Sequence, residues 1–108
     1  MGDTLGEFEQ LVMLAVLRLD EHAYGTAIGA ELKERAERDV SPGAIFTTLE
    51  RLEARGLVTS RYGEPTAERG GRRKRFYRLS ADGRRALLRS LATVRRMARG
   101  LQPRLARS

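Results

Sequence analysis

The chain has 108 residues, 41% of them hydrophobic and 32% charged, with no cysteine and a formal net charge of +7. That length supports one domain with a modest core, and the composition excludes a disordered chain. The missing cysteine excludes disulfides, thiolate metal sites and cysteine nucleophiles, and the longest apolar stretch, Leu11 to Leu17, is too short to cross a bilayer.

Thr4 and Glu7 have the T-x-x-E spacing of a helix capping box. Behind them Leu5, Phe8, Leu11, Val12, Ala15, Val16 and Leu19 recur in steps of three and four, so a first helix is expected from Thr4 to about Leu19. Asp20, Glu21 and His22 form a polar break. A second short helix follows Tyr24-Gly25, with Ala27, Ile28, Leu32 and Ala36 on one face, and runs to about Arg38. Ser41-Pro42 is a helix start, because serine accepts a bond from a free backbone N–H and proline suits the first helical position. The third helix is expected to turn Ile45, Phe46, Leu49 and Leu52 inward and to leave Thr47, Thr48, Glu50, Arg51 and Arg55 as polar positions. Gly56 stops it.

Two β-like runs come next, Leu57 to Tyr62 and Arg75 to Leu79. The segment between them is rich in glycine, proline and charge, so the pair reads as a hairpin with a long tip. Ser80 can cap a last helix. In it Leu87, Leu91, Val94, Ala98 and Leu101 step by 4, 3, 4 and 3, the heptad spacing that lets one helix pack along another. Gly100 and Pro103 fray its end.

The charge is divided along the chain. Residues 1–60 hold 6 Lys/Arg against 11 Asp/Glu, a net −5, and residues 61–108 hold 15 against 3, a net +12. Such asymmetry suggests a polyanionic partner. The element order completes the reading: a mostly α (α+β) winged helix-turn-helix, three helices plus a two-stranded β-hairpin wing, with a C-terminal dimerisation helix. Residues 1–79 would form the DNA-binding domain and residues 80–108 the dimerisation helix, packed as one unit. In such a fold the third helix enters the major groove of double-stranded DNA and the wing lies along the adjacent backbone or minor groove. Thr47, Thr48, Arg51 and Arg55 are available at the first contact, and Arg69, Arg72, Arg73, Lys74 and Arg75 at the second.

The run Ser-Pro-Gly-Ala-Ile-Phe-Thr-Thr-Leu-Glu-Arg-Leu-Glu-Ala-Arg-Gly-Leu-Val resembles the recognition-helix signature of the PadR-like transcriptional regulators. Gly-Arg-Arg-Lys-Arg-Phe-Tyr-Arg-Leu-Ser-Ala-Asp-Gly resembles their wing, second strand and start of the last helix. Leu5-Gly6, Tyr24-Gly25 and Ile28 resemble the family's opening. The resemblance runs from about Leu5 to Arg99. It implies a homodimer held by the first and last helices, a repressor, and release by a small ligand or other signal. Within the matched signatures, Ser41, Gly43 and Phe46 join Thr47, Thr48 and Arg51 at the DNA, with Tyr24 on the flank. Leu5 and Phe8 join Leu87, Leu91, Val94, Ala98 and Leu101 at the dimer contact. Two departures stand out. Phe46 occupies a position where the family commonly has tyrosine, and the chain has no tryptophan with which to stack a flat drug.

Each singled-out residue also has a plainer reading. A basic run is often a solvated loop, Tyr24 can pack instead of bonding a phosphate, Arg51 can pair with a nearby glutamate on its own face, and Tyr77 reads as core. His22 is the only histidine, so neither a metal site nor a cofactor is expected. No nucleophile with a nearby base and no phosphate loop is apparent, which argues against an enzyme. The opening residues lack a basic segment followed by an apolar one, so no secretory signal is expected and a cytoplasmic location is. The competing reading is a winged helix that binds protein or RNA. Membrane association through the Arg-rich last helix is weaker, because a dimer would bury its apolar seam. Finally, Glu7 and Glu9 of one subunit are expected to lie near the basic last helix of the other.

Overall fold

The structure is a computed structural model that describes residues 4–64 and 73–107. Arg69 and Arg72 lie outside those residues. Helix α1 spans Glu7–Leu19, α2 Gly25–Ala36, α3 Pro42–Ala54 and α4 Ala81–Ala98; strands β1, Val58–Tyr62, and β2, Arg75–Leu79, separate α3 from α4. A single 3-10 turn at Asp20–His22 links α1 to α2, and a short helix α5, Gln102–Ala106, follows α4. This is a mostly helical winged helix-turn-helix.

The helix ends are set by local chemistry. Ser41 Oγ accepts the Ala44 N–H at 3.1 Å, and Pro42 occupies the first turn of α3. Gly56 turns the chain out of α3 at φ +78°, a conformation that costs little without a Cβ. The start of α1 differs from expectation. Gly6, not Thr4, is the extended N-cap residue, and its N–H donates to Glu9 Oε1 at 2.9 Å. With Gly6 at the N-cap, Glu9 falls at the third helical position that a capping acid needs and Glu7 at the first, where its Oε1 takes the Arg38 guanidinium at 2.7 Å.

The two strands pair antiparallel, with Val58 opposite Leu79, Ser60 opposite Tyr77 and Tyr62 opposite Arg75. Alternation along β2 buries Tyr77 and Leu79 and exposes Arg78. The segment before α2 adds a rung to this hairpin: the Tyr77 N–H donates to the Ala23 carbonyl at 2.9 Å, and Tyr24 bridges Phe76. The core lies between α1, α2, α3 and the inner face of the hairpin, with Val12, Met13, Val16, Ile28, Leu49, Leu52 and Val58 fully enclosed.

Ser80 joins two elements. Its Oγ accepts the Gly83 N–H at 2.9 Å, capping α4, and donates to the Gly56 carbonyl at 2.7 Å, tying that cap to the end of α3. Ser80→Ala should therefore cost about 1–2 kcal/mol, the upper part of the range for a helix cap, because a carbonyl loses its donor as well. Urea denaturation would show this as a lower midpoint with an unchanged slope; an unchanged midpoint would mean that water replaces both bonds without cost.

Helix α4 packs on the domain only through its first turns, where Gly83, Ala86 and Leu87 are buried. The rest runs past the core. The molecule measures 55 × 33 × 21 Å and its radius of gyration is 16.0 Å, against about 13 Å for a compact chain of this length. Among the described residues no helix is long and apolar enough to cross a membrane.

Candidate nucleic-acid interface

The side chains of α3 sort by helical angle. Ile45, Thr48, Leu49 and Leu52 are buried, the i, i+3, i+4, i+7 stripe of an inward face. Gly43, Thr47, Glu50 and Ala54 lie about half a turn away and are exposed. Thr48 is only 3% exposed, which corrects its expected place at a base edge. Its polarity suggested the surface, but its angular position puts it between Ile45 and Leu52. Phe46, read both as an inward residue of α3 and as a DNA contact, is 50% exposed, on the flank of α3 that faces the hairpin. Ser41 and Gly43 stay at the exposed start of α3, where Ser41 is occupied by its cap bond.

Arg51 lies on the opposite flank. Its Nε donates to Glu9 Oε2 at 3.3 Å, and Arg55 reaches the same carboxylate at 3.5 Å and the Thr4 carbonyl at 3.1 Å. The acid that Arg51 meets thus belongs to α1 rather than to its own helix. An exposed pair of this kind is worth roughly 0–1 kcal/mol, so it orients Arg51 without locking it. Glu7 and Glu9 are both engaged within their own chain. Glu7 nevertheless keeps 75% of its side chain exposed.

Arg75 is the largest correction in the wing. It was expected to grip DNA backbone. Instead its guanidinium bridges Glu50 and Glu53 of α3, each at 3.0 Å, and its Nε donates to Ser60 Oγ at 3.1 Å. Ser60 in turn donates to the Glu53 carboxylate. The guanidinium carbon also lies 5.4 Å from the Tyr77 ring, 5.8 Å from Tyr62 and 5.9 Å from Phe46. Burial works to lower the Arg75 pKa, but Tyr77, Glu50 and Glu53 outweigh it and hold the pKa above its ordinary value. Burial pushes the Tyr77 hydroxyl up, against the opposing pull of Arg75. At neutral pH both keep their usual forms, a cation and a neutral phenol.

Arg73 and Lys74 are exposed at the end of the hairpin. Lys74 Nζ stands 4.2 Å from the centre of the Tyr24 ring, and Tyr24 meets Phe76 edge to face at 5.6 Å. Tyr24 is half-buried and holds the start of α2 against the hairpin. The start of α2, the start of α3 and the hairpin enclose one open cleft of about 600 Å³, bordered by Tyr24, Thr26, Pro42, Phe46, Tyr62 and Lys74. Gly25 and Thr26, the first residues of α2, line this cleft, and the N-cap of α2 has no side-chain bond.

Sequence reading missed several residues of this face. Tyr62 could have been found by counting in twos from buried Val58. Thr26 and Gly25 could have been found from the position of the α2 start beside Tyr24. Glu50 was read only as a polar position, because its link to Arg75 spans 25 residues.

The expected dimer residues divide. Leu5 and Leu87 are buried in the chain's own core, and Phe8 and Leu91 pack partly against it. This corrects Leu5 and Leu87 as contact residues, since a side chain already enclosed has no surface left to offer. Val94 is 60% exposed, Leu101 is exposed and Ala98 is partly so. Leu88, Met97 and Leu105 add exposed apolar surface that the heptad reading did not include.

Comparison with known proteins agrees with the fold and its order of elements. The model of the transcriptional regulator PadR-like family matches residues 13–89. The transcriptional regulator Rv3488 of Mycobacterium tuberculosis is 36% identical over 80 residues, covering 74% of this chain and 70% of that protein. A PadR-like transcription factor from Bacteroides fragilis superimposes with a TM-score of 0.71 at 28% identity, over 83% of this chain and 82% of that one. Bacillus subtilis PadR, solved in complex with operator DNA, superimposes with a TM-score of 0.64 at 23% identity, over 79% of this chain and 47% of that one. With its winged helix-turn-helix, its basic hairpin end and a family match over most of its length, this chain belongs to the PadR-like family of transcriptional regulators.

Proposed function

We propose that this regulator is a homodimeric repressor that binds an inverted-repeat duplex DNA operator. The observation that carries the reading is the shared cleft: the starts of α2 and α3 and the basic end of the hairpin converge on one side of the molecule. A recognition helix and a basic arm on one face match the two parts of a duplex, a groove and its phosphates. Thr47 and Arg51 on α3 would meet base edges or nearby phosphates. Arg73 and Lys74, with Arg69 and Arg72 beside them in sequence, would supply sequence-independent affinity. Tyr24 would brace the flank. The operator complex of Bacillus subtilis PadR supports this assignment by similarity of fold.

The second half of α4 supports the dimer. Val94, Met97 and Leu101 leave an apolar surface beyond the domain, and a second copy of the same helix would cover it. A dimer sets two α3 helices about 34–36 Å apart, one turn of B-DNA. A signal that shifted the two α4 helices would change that spacing and release the operator; a small ligand is the simplest such signal. Replacing Val94 and Met97 by glutamate should convert dimer to monomer in sedimentation, while circular dichroism stays the same. It should also abolish tight operator binding, since a half-site loses the benefit of linkage. A double variant that remained dimeric would remove α4 from the interface.

The deciding experiment is selection of genomic fragments by the purified protein at physiological salt. Enrichment of an inverted repeat supports the reading. Recovery of random fragments, or none, turns the fold toward a protein or RNA partner.

A further inference from the structure

We propose that Glu50 reads a cytosine in each half-site, and that Arg75 is the residue that positions it. This rests on the reading of α3 as the helix that enters the major groove. Glu50 is the acidic side chain on the exposed midline of α3, with Thr47 one turn before it and Ala54 one turn after. It is 46% exposed. A carboxylate on such a surface is normally a liability, because phosphates surround the groove and repel it. Arg75 reduces the liability. Its Nη1 bonds Glu50 Oε2 at 3.0 Å and offsets part of the charge of that carboxylate, since the same guanidinium also serves Glu53; Glu50 keeps free acceptor positions, because two oxygens offer about four. A fixed, partly compensated acceptor on a groove-facing helix matches one base edge in particular, the N4 amino group of cytosine.

Arg75 is held well enough to orient its partner. Glu53 and Ser60 grip it from the side away from Glu50, and three aromatic rings lie within 6 Å of its guanidinium carbon. Swinging out to a phosphate would break all of these contacts together. Arg75 therefore serves as a positioning residue, and the carboxylate it holds is the group that meets DNA.

The test is selection from random duplexes at physiological salt by the wild-type protein, three single variants and one double variant. The wild type should prefer cytosine at one position in each half-site. Glu50→Ala should lose about tenfold discrimination there and keep the other positions. Glu50→Gln should move the preference toward adenine, which a carboxamide pairs with at N6 and N7. Arg75→Gln should blur the same position, and should add nothing there when Glu50 is already alanine; a merely structural loosening of the wing would instead lower affinity for all sequences alike. An unchanged preference in Glu50→Ala overturns the proposal while leaving DNA binding intact. So does a uniform rise in affinity for every sequence, which would mean that Glu50 only repels phosphates. If the wild type selects no sequence, the DNA-binding reading falls and takes this proposal with it.

Discussion

Gly83→Ala should destabilise the protein more than any other single-methyl change. A Cβ at Gly83 would lie 2.0 Å from the Leu57 carbonyl oxygen and 2.9 Å from its carbon. Both obstacles are backbone. They are fixed by Ser80, whose N–H donates to that same carbonyl at 3.0 Å, and by the Ser80 cap on α4. No side chain can rotate to make room, so α4 must move away from the β1 start, and Ala86 and Leu87 would lose their packing with it. Overpacking of this kind costs about 3 kcal/mol or more, a large share of the roughly 5–15 kcal/mol that holds a small domain together. The melting temperature should fall by about 12 °C or more. Gly43→Ala is the matched control. Beyond its chain neighbours and its own helix backbone, no atom lies within 4 Å of its Cβ position, and alanine favours a helix more than glycine does, so that variant should melt at the same temperature or slightly higher. Equal melting temperatures for the two variants would mean that α4 can slide off Leu57 without loss.

Replacing Arg73 and Lys74 together by alanine should produce the largest change in binding. Both are exposed at the hairpin end, and neither contributes to the core. If each neutralises one phosphate, the slope of log affinity against log salt should flatten by about 1.8, and affinity at 0.15 M salt should fall about thirtyfold for specific and random duplexes alike. Among the described residues, the side-chain contact at stake is the Lys74 ammonium over Tyr24, and an exposed cation–π pair is worth only ~0.5–1 kcal/mol. Stability should therefore change little, which separates this loss from unfolding. Titration of a fluorescent operator at several salt concentrations measures both quantities. Full affinity with an unchanged slope would mean that the hairpin end does not touch DNA.

What could be read from the sequence was local in origin. The Ser41-Pro42 start, the Gly56 stop and the Ser80 cap depend on atoms within four residues, and each sits where the residue types put it. The two strands are equally local, because turn residues and alternation mark them. The α1 cap is an instructive exception. Thr4 and Glu7 have the right spacing, and Gly6 and Glu9 have it too; the helix starts at Gly6, so that Glu9 caps it and Glu7 pairs with Arg38.

The sequence by itself determined the winged-helix class, the order of elements, the start of α3 and the basic hairpin, because capping, periodicity and net charge are properties of short stretches. Tertiary structure alone decided which apolar residues of the last helix are enclosed by their own domain and which stand clear of it. Leu87 and Val94 share one heptad stripe, and only the point where the domain ends beneath α4 distinguishes them. It also decided the fate of Arg75. A cation among four basic residues reads as a phosphate contact, but two carboxylates 22 and 25 residues earlier are brought against it by the packing of α3 on the hairpin. Charge pairing over such separations is set by the fold, since the energy of an ion pair depends on distance in space and not along the chain.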